Sequence, residues 1–170
     1  MVILSGLVCG GLATLVMDMF AVFLIRAKLL NLQGLQIVPS LLGRWIHIIA
    51  GRRQVYLTDI RLEPSLLVEA RNGMIAHYLI GLIFGVFFVF ENSHFQLQNS
   101  ELIYAGIFFG FLTNIFPWLI MYPAMGFGVF GRKLAFFKQI LLFSLINHLI
   151  YGLFLGIFAN LIKTLDITPL

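Results

Sequence analysis

Asp18, His77, Asn114 and His148 put a carboxylate, two imidazoles and an amide inside long apolar runs, where polar side chains need a reason to be. An ionisable group at the centre of a membrane helix costs about 2.5–3.5 kcal/mol even on a lenient insertion scale, so Asp18 requires a partner or water. A histidine is the first candidate. Three uses fit such a set. One is a polar lock, in which Asp18 holds an imidazole by a charge-assisted hydrogen bond and Asn114 completes the network. The second is a path for a proton, an ion or a small solute, since an imidazole beside a carboxylate is suited to relaying protons. The third is a metal or b-type haem site, with the two histidines as axial ligands and nearby glycines making room for the macrocycle.

Each of these residues continues a row of small residues. Steps of four along a helix keep one face, with about 40° of drift per step. The rows are Gly6, Gly10, Thr14 and Asp18; His77, Gly81 and Gly85; Gly106, Gly110 and Asn114; and Ser144, His148, Gly152 and Gly156. Glycines at that spacing let helix backbones approach closely in a bilayer, which offers no hydrophobic drive for association. Counted at 1.5 Å per residue, the four polar groups fall in one slab roughly 20–25 Å below the outer boundary.

The rows also repeat. His77 to Phe87 and His148 to Phe158 both read H-x-x-x-G-L-x-x-G-x-F, and Gly6 to Thr14 parallels Gly106 to Asn114. Equivalent spans run in the same direction, so the pattern predicts two hairpins related by a pseudo-twofold along the membrane normal. His77 and His148 would then face a common interior.

The elements that must carry these rows are membrane spans. The 170 residues are 61% hydrophobic and 11% charged, with 18 Phe. Their mean hydropathy is +1.01. A soluble domain carries about a quarter charged residues, so the composition excludes soluble enzymes, disulfide scaffolds and disordered chains. Four stretches approach the roughly 20 residues that cross hydrocarbon: about 2–25, 72–90, 102–122 and 135–162. The expected fold class is all-α, a single membrane domain over 1–170. The start of the chain has no basic n-region and no small-x-small cleavage site, so 2–25 is expected to stay as a span. The lone Cys9 excludes an intrachain disulfide and reads as a packed small residue.

Ten of the eleven Lys and Arg, all but Lys163, fall in or beside the first and third connections. This asymmetry predicts a bacterial inner-membrane protein with both termini outside and the loop 26–71 in the cytoplasm. The net charge of +4 is thereby assigned to topology and to anionic lipid headgroups, and nucleic acid is not an expected partner. Homo- or hetero-oligomers remain open. Within the loop, about residues 39–50 place Leu41, Leu42, Trp45, Ile48 and Ile49 on one helical face and Ser40, Arg44 and His47 on the other. That pattern predicts an amphipathic helix lying in the interface, with Arg44 and Trp45 as its interfacial residues and His47 in contact with solvent or headgroups. Trp118, Tyr122 and Tyr104 fit aromatic belts.

Other motifs carry less. Gly126-x-Gly128-x-x-Gly131 has the letters of a dinucleotide loop but follows a membrane helix rather than a strand, so a turn is expected. Glu63 and Glu69 read as a solvated ion-pair face, and His94 as a loop residue. No catalytic triad or H-E-x-x-H sequence is present, so enzyme chemistry has no support.

The pieces Ala13-Thr14-x-x-Met17-Asp18, Gly43-Arg44-Trp45, Ala76-His77-Tyr78, Pro123-x-Met125-Gly126 and His148-x-x-x-Gly152 occur in this order across nearly the whole chain. In them the sequence resembles a bacterial inner-membrane family described as domain of unknown function 2938. The resemblance implies a small multi-helix membrane protein and adds weight to Asp18, His77, His148, Arg44 and Trp45 without assigning chemistry. The chain departs from the family's pattern at Leu134 to Phe137, which is apolar where polar sequence is expected.

Overall fold

A computed structural model describes residues 2–28, 38–51, 67–95, 97 and 99–165. Among these, every regular element is helical: α1 (Val2–Arg26), α2 (Val38–Ile49), α3 (Leu67–Phe95), α4 (Asn99–Thr113), α5 (Tyr122–Ala124) and α6 (Phe137–Thr164). Four helices are long and apolar enough to cross a membrane: Val2–Arg26, Leu67–His94, Ser100–Ala124 and Phe137–Thr164. Arg52, Arg53, Arg61 and Glu63 lie outside the described residues.

Two helices differ from expectation at their ends or within. α3 starts five residues before Asn72 and runs five past Phe90. Its last turn tolerates polar residues because they bond back to the main chain: Asn92 donates to Phe88 O at 2.6 Å and Ser93 to Phe90 O at 2.7 Å. The third span is not one regular helix. It leaves α geometry after Thr113, turns at Asn114 and passes through a π-helical segment at Pro117–Met121. Pro117 has no N–H to give to the preceding turn and its ring crowds that turn's carbonyl, which accounts for the interruption.

The chain forms two compact units, Met1–Ala27 with Tyr78–Asn114 and Ser144–Leu170, and Lys28–His77 with Ile115–Phe143. In the first, α1 packs antiparallel on α3 and α4 antiparallel on α6, each pair through its glycine row. A Cβ added at Gly85 would strike Gly6 O and Gly10 Cα, and one at Gly152 would strike Gly106 O and Gly110 Cα. Around these contacts Cys9, Ala13 and Met17 share a buried core with Phe88, Val89, Tyr151, Leu155 and Ala159. Phe109 adds ring contacts to Phe84, Phe87 and Phe88 at 5.7, 6.0 and 5.6 Å.

In the second unit α2 docks on the first turns of α3. Gly43 lies directly against the Glu69 carbonyl, a place where no side chain would fit. Trp45 meets Phe116 edge to face at 5.1 Å. Arg44 and His47 are buried here along with Leu41 and Leu42, and Ile49 is exposed, so the polar face of α2 is covered where contact with solvent or headgroups is expected. It is covered because α3 supplies partners for it. Tyr122 is also buried, beside Phe127, rather than in an aromatic belt. The glycine-rich turn takes positive φ at Gly126, Gly128 and Gly131, and Phe130 is held at φ 57 beneath Trp118 and Arg132.

Candidate functional site

Asp18 lies on α1, half-buried, and hydrogen-bonds with Tyr78 of α3. The phenol is the donor to the carboxylate. Tyr78 follows His77 in the chain, one helical step of about 100° away. His77 is half-buried and falls in the second unit, whereas Asp18, Asn114 and His148 fall in the first.

Asn114 and His148 take part in a ladder between α4 and α6. Ser144 Oγ donates to Asn114 Oδ1 at 2.9 Å. The Asn114 amide nitrogen donates back to Gly110 O at 3.2 Å and Phe111 O at 3.3 Å. One turn further along α6, His148 Nδ1 lies 2.7 Å from Thr113 Oγ1. The Thr113 hydroxyl also lies 2.7 Å from Gly110 O, so it bridges the main chain of α4 and the imidazole of α6. Asn147, between these two rungs in sequence, is 5% exposed.

The two glycine-packed pairs are not in the same register. Gly10 meets Gly81 O and Gly85 Cα, and Gly6 meets Gly85 O and Val86. The corresponding Gly110 meets His148 O and Gly152 Cα, and Gly106 meets Gly152 O and Gly156. Aligned on H-x-x-x-G-L-x-x-G-x-F, α4 therefore sits one turn nearer the start of α6 than α1 does on α3. The helices α3 and α6 themselves stay in step: Tyr151 OH donates to Gly81 O at 2.8 Å, and Val89 and Asn92 line a small recess with Ala159 and Lys163. In both pairs the residue four after the second glycine bonds back to it, Thr14 Oγ1 to Gly10 O at 2.8 Å and Asn114 to Gly110 O.

A haem does not fit the glycine rows. At Gly81, Gly85, Gly106, Gly110 and Gly152 the space beside the glycine is already filled by backbone of the partner helix or by Thr14, so no slot is left for a macrocycle. Among the described residues no group of three or more His, Cys, Asp or Glu could hold a metal ion.

A second polar cluster lies in the second unit and was read from sequence as solvated. Glu69 is 0% exposed and Arg44 4%, with Arg44 Nε 3.6 Å from Glu69 Oε2. Beside them Asn72 Nδ2 lies 3.1 Å from His47 Nε2. Sequence reading singled out Arg44 and missed Glu69, Asn72, Tyr78, Thr113 and Asn147 as polar partners. Glu69 and Asn72 share an α3 face, a signal that becomes visible only once α2 is known to dock there.

Fold and polar chemistry together define an all-helical chain with four helices suited to crossing a membrane. Residues 7–162 match the protein family of unknown function DUF2938, and the chain belongs to that family. No curated protein and no solved structure matches it significantly.

Proposed function

We propose that the chain is a polytopic protein of the bacterial inner membrane that takes up and moves a proton, or a small ionic solute, at Asp18. The observation that carries this reading is the Asp18–Tyr78 hydrogen bond, which gives a carboxyl group in an apolar span a neutral partner. The phenol orients the carboxyl by donating to it, and a carboxyl group in an apolar span gains by binding a proton or a cation. The His148 imidazole is a second group able to carry a proton.

The orientation belongs to the same proposal. Ten of the eleven Lys and Arg on one side favour both termini outside, with α2 and the basic loops in the cytoplasm against anionic headgroups. The two glycine-packed hairpins are taken as parallel repeats about an axis along the membrane normal.

Flux measurements in proteoliposomes separate this from a structural use. Asp18→Asn keeps a hydrogen-bonding side chain but cannot titrate; it is expected to fold and to abolish pH-gradient-driven flux, while Tyr78→Phe shifts the pH dependence. Undiminished flux in Asp18→Asn would overturn the reading.

The Thr113–His148 and Asn114–Ser144 bonds favour a second reading, a structural or assembly partner of another membrane protein, because they tie polar groups helix to helix. That reading expects no flux from the wild-type protein and stoichiometric co-purification with one other membrane protein.

A further inference from the structure

We propose that α4 moves by one helical turn along α6, between the register described above and the one that α1 keeps on α3. The first support is the glycine pattern of α6. Gly110 now rests between His148 and Gly152. One turn outward it would rest between Gly152 and Gly156, the arrangement that Gly10 already has between Gly81 and Gly85. Glycines at both positions of α6 make both seats free of side chains. Packed interfaces of this kind switch between discrete seats rather than sliding continuously, and a turn is the natural step.

The second support is where the helix geometry gives way. α1 is unbroken from Val2 to Arg26, whereas the helix that would move is interrupted at Asn114 and again, after Ile115 and Phe116, at the π segment Pro117–Met121. π segments recur at functional positions, and this one can absorb a change in the length of the helix before it.

The third support is the set of bonds specific to the present seat. Thr113 to His148 and Ser144 to Asn114 both break on the move, while the back-bond from Asn114 to Gly110 O travels with α4. His148 would lose the hydroxyl of Thr113 as its partner on α4. The inference rests on helix packing and stands whether or not Asp18 carries flux.

Spin labels test it directly in the full-length protein, reconstituted in lipid with Cys9→Ala as background. One label replaces Tyr104, which is 72% exposed on α4, and the other Leu161, 48% exposed on α6. In the present seat Tyr104 lies level with about Gly156; after the move it lies level with about Asn160, so the axial separation falls by about 5.4 Å. A control pair replaces Leu4 on α1 and Ile83 on α3, which are 64% and 63% exposed. Asn114→Thr copies the α1 residue and gives up Ser144, and Thr113→Val gives up His148; both retain an apolar helix and are expected to fold. The expected result is a second, shorter α4–α6 distance that grows several-fold in population in either variant, with the control pair unchanged. A single distance common to the wild type and both variants would overturn the proposal. So would equal broadening of the control pair, which would mean general loosening rather than a second seat.

Discussion

Thr14 on α1 and Asn114 on α4 occupy the same place after their glycine rows, and the two helix pairs diverge from there. Thr14 is short; its hydroxyl turns back to Gly10 O and its side chain fills the space over Gly81. Asn114 is longer and has both a donor and an acceptor, so after bonding Gly110 O it still has an oxygen to satisfy, which Ser144 does. Meeting Ser144 sets α4 one turn down α6. Glycine rows thus supply a track with more than one stop, and a neighbouring polar side chain selects the stop.

The sharpest way to break that comparison is to add a methyl group to each track. Gly152 faces backbone, Gly106 O and Gly110 Cα, which cannot rotate away, so Gly152→Ala should cost about 1–3 kcal/mol as overpacking. Gly81 faces the Thr14 side chain, so Gly81→Ala should be largely rescued by Thr14→Ala, a coupling readable as recovery of the thermal midpoint in detergent. Equal losses at Gly152 and Gly81, with no rescue, would mean that the two tracks do not differ. A smaller effect is expected from the polar residues themselves. Asn114→Ala leaves the buried Ser144 hydroxyl without its acceptor and should cost about 1–2 kcal/mol, whereas Thr14→Ala, which loses a bond only within its own helix, should be close to neutral. The smallest effect concerns the tie between pairs: Tyr151→Phe removes the bond to Gly81 O and should cost about 0.5–1.5 kcal/mol.

The four spans were legible from apolar length alone, and the glycine rows named the residues through which helices meet. Pro117 was equally visible, but a run of apolar neighbours averages over one proline, so the break after Thr113 did not register. Partner choice was less accessible. Rows of four drift by about 40° per step, so Tyr78, one residue off the His77 row, could not be picked out as a partner of Asp18 without knowing how α3 is rotated. For α2 the helical period was readable, but amphipathicity states only that two faces differ. That the polar face is covered as well depends on Glu69 and Asn72, which are remote in sequence and meet Arg44 and His47 only through docking.

That docking also orders events during synthesis. Arg44 is made and leaves the ribosome before Glu69, and at the usual 5–20 residues per second its counter-charge follows roughly 1 to 5 s later. Trp45 waits longer still, because its ring partner Phe116 belongs to the third span. The newly made α2 therefore spends its first seconds with a bare guanidinium and an uncovered indole. It reaches its seat only when the start of α3, and then the segment after α4, have been made.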